Sequence, residues 1–336
     1  MTRPRSTPVW EPPPEIVGLF PDVSGNDING LGDVEPRPPQ LVMWANPSTL
    51  AHGAVQVHMT EEFVAHPVLR TVLRMNDRHE PAPVAAATVQ RTASEWTAAL
   101  TAQALRDAAE PVEMLGIARV EHSWFYDGRT TGHKWIILLV VAMDHTELAK
   151  APEHESAMEV HRQYNRGTAA ARGLADWIRG QGHDAVGHGG PGAGPILMVP
   201  AAIEAGLGEL GKHGSLINRE FGSSFRLACV LTDMALEPTG AGATGGDIFG
   251  ADDFCHGCRV CADACPPDAI AHEEQLVRGR NRWYVDFDKC MPYFAASHGC
   301  GICIAACPWS PPGEASRLAQ IMTRKRARRV SGDNQK

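Results

Sequence analysis

The sequence predicts an α/β (α+β) domain followed by a small ferredoxin-like domain, and three observations carry that prediction. Eight of the nine cysteines crowd into Cys255–Pro308 at metal-ligand spacing. Upstream, amphipathic helical stretches alternate with short apolar runs that read as buried strands. A chain of 336 residues with 43% hydrophobic content has room for two cores, at roughly 150 residues per domain. The divisions expected are an N-terminal arm over 1–50, a catalytic α/β domain over 51–245, a cysteine domain over 246–312 and a basic tail over 313–336.

Residues 1–50 are rich in proline and turn formers (EPPPE, DVSGNDINGLGD, EPRPPQ) and predict an extended wrapping arm. A weaker helical pattern runs over Glu61–Met75. The tetrapeptide TASE makes Thr92 an N-cap with Glu95 three residues on, a capping box that opens a helix running to about Ala109. Two strands should follow, Gly116–Tyr126 and Lys134–Met143. The second contains the unbroken WIILLVVAM, the mark of a strand covered on both faces. A long helix is expected over Glu155–Gly180, with Met158, His161, Tyr164, Thr168, Ala171, Leu174 and Ile178 along one side. After it come a glycine loop, a helical segment near Pro200–Ala205, a strand Phe225–Thr232, and a linker, GATGGDIFGADD, into the cysteine domain.

Composition excludes several classes. The formal charge of −8 and pI near 6.0 are unlike the basic footprint of a nucleic-acid binder. The longest apolar run, Trp135–Met143, is too short to span a bilayer. The N-terminus has neither a twin-arginine pair nor an apolar segment before its prolines, so no export signal is expected and a cytoplasmic location is. Cysteines concentrated at ligand spacing in a chain this long favour thiolate ligation over disulfides.

The cysteines read C-x2-C-x2-C-x3-C-P and then C-x9-C-x2-C-x3-C-P. In the bacterial ferredoxin run three cysteines hold one [4Fe–4S] cluster and the fourth crosses to the other. Cluster one would take Cys255, Cys258, Cys261 and Cys307, and cluster two Cys265, Cys290, Cys300 and Cys303. Structural zinc is the competing use of CxxC pairs, but the fourth cysteine of each run, three residues on and followed by proline, fits iron–sulfur better. Cys229, in RLACVLT, reads as a small buried hydrophobe.

GHGGPG (187–192) matches G-x-G-x-x-G formally. Pro191 lies inside it and no clean helix opens after it, so a loop that lets backbone approach a flat ligand, or a plain loop, is the better reading. Ala205–Asp233 sets Gly206, Gly208, Gly211 and Gly214 among Glu209, Lys212, His213, Ser215, Asn218 and Arg219. On composition it suits a polyanionic or amide-rich cofactor equally with a tight turn before a surface helix.

GLGELGKHGSLINREFGSSFRLACVLTD, followed by FCHGCRVCADACPP and CGICIAACPW, resembles the cobalamin-dependent reductive dehalogenases over about residues 115–312. The chain is less closely similar to epoxyqueuosine reductases. The resemblance implies a corrinoid-binding domain ahead of the two clusters, with cofactor contacts from Gly206, Gly208, Glu209, Gly211, Lys212, His213, Gly214 and Ser215. No D-x-H-x-x-G lower-ligand motif is present, because Val186 takes the histidine place in D-A-V-G-H; this implies a base-off corrinoid. The family's proton-donating tyrosine falls on Tyr164 and its basic partner on Arg226. Helical spacing alone reads Tyr164 as a core aromatic, whereas arginine on an apolar strand is unusual unless paired.

The resemblance implies an organohalide substrate and an external electron donor such as a ferredoxin, a flavodoxin or a reductase. The acidic donor of the queuosine enzymes would fall near Gly192, where there is no carboxylate. A non-catalytic corrinoid or iron–sulfur electron carrier is the alternative of a different class, and an epoxyqueuosine-type deoxygenase is the alternative enzyme. The run RKRARR (324–329) suits docking of an acidic donor or a solvated helix end.

Overall fold

The computed structural model describes residues 8–73, 79–190, 194–240 and 249–330. Helices α1 (Pro14–Val17) and α2 (Gly25–Asn29) punctuate the N-terminal arm. Ser24 caps α2 by accepting hydrogen bonds from Asn26 and Asp27. The arm is anchored far along the chain: Gly25 N–H donates to Asp288 and Asn26 Nδ2 to Asp286, each at 2.8 Å. A side chain at Gly25 would collide with the Phe287 ring. Residues 24–26 of the expected arm are thus held against residues 286–288.

Helix α3 spans Gly53–Ala65, earlier than the helical pattern read at 61–75. It stops at Ala65 because Pro67 holds His66 in an extended conformation; residues 74 and 75 of the expected helix lie outside the described residues. The capping box opens α4 (Ala93–Ala102), with Thr92 and Glu95 bonded reciprocally, and a π-helical turn carries on to Asp107.

Strands β1 (Met114–Arg119) and β2 (Trp135–Ala142) follow. The strand expected to reach Tyr126 ends at Arg119, where the chain leaves the sheet in short 3-10 turns. After α5 (His145–Leu148) comes α6 (His154–Gly180), then β3 (Ala185–His188), α7 (Met198–Glu204), the small hairpin β4 (Glu209–Leu210) and β5 (Leu216–Ile217), and β6 (Phe225–Thr232). The main sheet has the order β1-β2-β6-β3 with every pairing antiparallel.

The run WIILLVVAM is apolar throughout because both faces of the sheet are covered. Ile137, Leu139 and Val141 pack with Ala171, Leu174 and Ile178 of α6 and with α4, whereas Ile136, Leu138 and Val140 pack against Ala201 and Ala202 of α7. Cys229 lies fully buried in the second layer. Gly167 lets α6 approach β6 closely, its missing side chain facing Ala228 and Val141.

The second half holds α8 (Ala251–Gly257), α9 (Val260–Ala264), a hairpin of β7 (Gln275–Val277) and β8 (Arg280–Arg282), α10 (Phe287–Ala296), α11 (Ile302–Ala305) and α12 (Glu314–Val330). Residues 242–248 of the expected linker, including its boundary at 245/246, lie outside the described residues. Its end is not loose: Phe249 and Ala251 are fully buried. Nor is the basic C-terminal segment simply a tail. Ala315, Leu318, Ala319 and Met322 bury one side of α12 against Phe249 and Trp309, and Arg326 reaches Asp253.

Candidate functional site

A cavity of about 690 Å³ opens between α6, α7, β6, the arm and the cysteine domain, within the size range of small-molecule and cofactor sites. Leu197, Val199, Pro200 and Ile203 give it an apolar wall, and Tyr164, His161 and Arg226 project into it from the sheet domain. Cys265, Cys290, Cys300 and Cys303 also line it.

Tyr164 and Arg226, 62 positions apart, meet because α6 packs along β6. The Arg226 guanidinium carbon stands 5.3 Å from the Tyr164 ring centroid, against the ring face. Its Nε is buried without a hydrogen-bond partner. Gly190 closes over the tyrosine so tightly that a β-carbon there would sit 2.1 Å from the ring, and one at Gly189 would strike Thr168. The glycine loop thus serves a close approach to α6, while Pro191 and Gly192 fall outside the described residues. His161, missed as a site residue though placed on the inward side, is held neutral: burial, then the nearby Arg226 charge, lowers its pKa to about 4.

The 206–215 loop divides between two tasks. Gly214, with φ of +74°, and His213 line the cavity. Ser215 N–H donates to His213 Nδ1 (3.2 Å), so the ring proton sits on Nε2 and is donated to Ser223 Oγ (2.9 Å). Both ring nitrogens are engaged, and burial lowers the pKa to about 4. Ser223 in turn hydrogen-bonds Cys307, a contact with no sequence signature.

Lys212 and Glu209, read as cofactor contacts, face the cysteine domain instead. Lys212 is 2% exposed; its Nζ donates to the Cys258 carbonyl (2.8 Å), its N–H points at Cys255 Sγ (3.5 Å), and its ammonium lies 4.8 Å from the Trp283 ring centroid. Glu209 accepts hydrogen bonds from the backbone of Phe249, Gly250, Ala251 and Asp252, the start of the helix that carries Cys255. Gly206, Gly208, Gly211 and Ser215 are not among the cavity-lining residues. Gly208 instead allows a crossing against Ile217 that a β-carbon would block at 2.1 Å.

The mutual influences of the cysteines run mainly within the two sets expected from spacing. Cys307 feels the charges of Cys255 and Cys258, and Cys261 those of Cys307 and Cys258. Cys290 feels Cys265 and Cys300, and Cys303 feels all three and also Cys261 of the other set. Burial pushes the thiols of Cys255, Cys261, Cys290 and Cys307 up to about 12, that of Cys300 up to about 11, and that of Cys303 well above its ordinary value. Thiolates in such places require a compensating metal charge. Backbone N–H groups of Ala269 and Ile302 point at Cys265 and Cys300, the hydrogen-bond environment that sulfur ligands of iron favour. Among the described residues no three His, Cys, Asp or Glu side chains converge on a single-ion site, and none of the helices is long and apolar enough to cross a membrane.

Residues 254–310 match the family model described as a 4Fe-4S dicluster domain. A tetrachloroethene reductive dehalogenase of Desulfitobacterium hafniense is 33% identical over 197 residues, 55% of this chain and 34% of the relative. An epoxyqueuosine reductase of Leadbetterella byssophila is 36% identical over 99 residues, 30% of this chain and 26% of that one. A solved catabolic reductive dehalogenase, in complex with 3-bromo-4-hydroxybenzoic acid, superposes with a TM-score of 0.71 at 21% identity, covering 93% of this chain and 47% of its own. The chain spans about a third of the length of the dehalogenases it matches in sequence, and it shares the fold of the solved one.

Proposed function

We propose that this protein is a corrinoid- and iron–sulfur-dependent reductive dehalogenase, replacing a carbon–halogen bond by carbon–hydrogen with two electrons and one proton and releasing halide. The observation that carries the reading is the convergence on one cavity of Tyr164, Arg226 and the four cysteines of the second cluster set. The sequence similarity to tetrachloroethene reductive dehalogenase supports the same chemistry.

Cys255, Cys258, Cys261 and Cys307 would hold one [4Fe–4S] cluster and Cys265, Cys290, Cys300 and Cys303 the other, and these supply one-electron transfer from an external donor. The cavity residues fit a base-off corrinoid: an apolar wall, Gly214 in the lining with no side chain to fill the space, and a buried histidine, His213, whose nitrogens are both already committed. Bound there, the corrinoid supplies a strongly reducing cobalt centre for the carbon–halogen bond.

The chain's own residues then position and protonate. Tyr164 presents its hydroxyl to the cavity as the proton donor, and the Arg226 charge against its ring compensates the phenolate left behind. Leu197, Val199 and Ile203 exclude water from the reacting carbon. His161, neutral through burial, adds no positive charge beside Arg226.

The experiment is turnover by anaerobically reconstituted protein with a chemical reductant and a panel of aryl and alkyl halides. Halide release that falls at least 100-fold in Tyr164→Phe, with cluster and corrinoid content unchanged, supports the assignment. No halide release while the cofactors still cycle redox state contradicts it and favours an electron carrier. Conversion of epoxyqueuosine tRNA would favour the deoxygenase.

A further inference from the structure

One hydrogen-bond chain runs from the cavity wall to a cysteine that does not line the cavity. His213, in the wall, donates from Nε2 to Ser223 Oγ at 2.9 Å, while its Nδ1 accepts from Ser215 N–H at 3.2 Å. Because its oxygen accepts from the ring, Ser223 has its own proton to give, and that bond goes to Cys307. The three residues are 5%, 1% and 4% exposed, so water does not compete for these bonds.

Backbone packing holds the chain in place. Asn218 and Gly222 exchange backbone hydrogen bonds at 2.7 and 3.0 Å, which closes a tight turn just before Ser223. Gly222 has φ of +58°, and a β-carbon there would collide with the Trp309 carbonyl. Ser224 Oγ donates to the Ser310 carbonyl at 2.9 Å. Residues 222–224 are thereby clamped against 307–310, and Ser223 is the side chain held at the sulfur.

A hydrogen bond donated to a ligand sulfur favours the more negative, reduced form of an iron–sulfur cluster and so raises its potential. In a buried chain each bond polarises the next. The His213 donor therefore strengthens the donor that Ser223 offers to the sulfur.

We infer that His213 and Ser223 are positioning residues for electron transfer, their hydrogen-bond chain raising the reduction potential of the cluster that Cys307 would share with Cys255, Cys258 and Cys261. The reduction takes one electron from the external donor and moves no proton, since Ser223 keeps its hydrogen throughout. Lys212, buried with its N–H toward Cys255 Sγ, acts in the same sense on the same cluster. The inference rests on the iron–sulfur part of the proposed function and on no step of dehalogenation.

The test is an EPR-monitored dithionite titration of the full chain with both clusters reconstituted and no corrinoid added. Ser223→Ala is expected to lower the reduced-to-oxidised ratio of one cluster about tenfold at a fixed potential, equivalent to about 59 mV for a one-electron couple. The wave that moves should be the one that Lys212→Met moves. His213→Phe, which leaves Ser223 in place, should shift the same wave about threefold, and it keeps the test open if Ser223→Ala loses iron. Ser224→Ala removes a hydroxyl that clamps the same segment without reaching the sulfur, and should move neither wave. After exchange into deuterated water, pulsed EPR should find a deuteron coupled to the reduced cluster in the wild type and lose it in Ser223→Ala.

No shift in either Ser223→Ala or His213→Phe, equal shifts of both waves, or an equal shift in Ser224→Ala overturns the inference. Failure of the dehalogenase reading looks different: no halide is released while the single wave still shifts.

Discussion

Glu209 tests how the sheet domain grips the cluster domain. Its Oε1 accepts from Phe249, Gly250 and Ala251 at 2.7, 2.7 and 3.1 Å, and its Oε2 from Asp252 at 3.2 Å. Gly250, which precedes α8, has no side chain to cap that helix, so Glu209 does so from a distance. Glu209→Gln keeps the shape, converts three charge-assisted bonds to neutral ones and turns an amide N–H toward the fourth donor. Charge-assisted bonds contribute about 1.5–3 kcal/mol against about 1 for neutral ones, and an unsatisfied buried donor costs about 1–3. Allowing for non-additivity, α8 should be destabilised by about 3 kcal/mol, and each 1.4 kcal/mol is tenfold. Since α8 carries Cys255, iron should be lost to a chelator about 100-fold faster, followed by the bleaching of cluster absorbance. A change of less than threefold would refute the assignment of Glu209 as the cap.

Other perturbations probe the remaining parts. Lys212→Met removes a buried positive charge beside the Cys255 set and should make that cluster harder to reduce, lowering its potential in an EPR-monitored titration while leaving the other cluster unmoved; equal shifts in both would contradict the placement of Lys212. His213 has a folded pKa near 4 against 6.5, so its neutral form is favoured by folding. Stability from this source is full above about pH 6.5 and declines as pH falls toward 4, by about 3 kcal/mol over the window. His213→Gln should flatten that part of the stability–pH curve, and an unchanged slope would count against the buried neutral ring.

Local signals are the most legible in the sequence. The Thr92–Glu95 box, the 3.6-residue period of α6 and the double-faced β2 are written in consecutive residues, and α6, β2 and β6 lie where their patterns put them. The dicluster character of residues 254–310 is likewise written locally, in the spacing of the two cysteine runs. Tyr164 and Arg226 were paired through family resemblance alone; what joins them is the packing of α6 on β6, which no local pattern states.

Long-range partners account for the rest. Nothing in GELGKHG says that Glu209 and Lys212 turn away from the cavity while His213 turns toward it. That division depends on backbone donors at 249–252 and a carbonyl at 258. The early end of β1 has a similar cause: Arg119 is where the sheet's outer strand runs out of partner, its last pairing being with Trp135.

On the proposed function, the cavity holds a corrinoid and the cysteines hold two iron–sulfur clusters. Metal analysis and a UV–visible spectrum of anaerobically purified, cofactor-reconstituted protein test it most directly. About eight iron atoms per chain are expected, from two [4Fe–4S] clusters, together with about one cobalt and the absorption of a base-off corrinoid. Zinc in place of iron, or no cobalt retained after reconstitution, would contradict it.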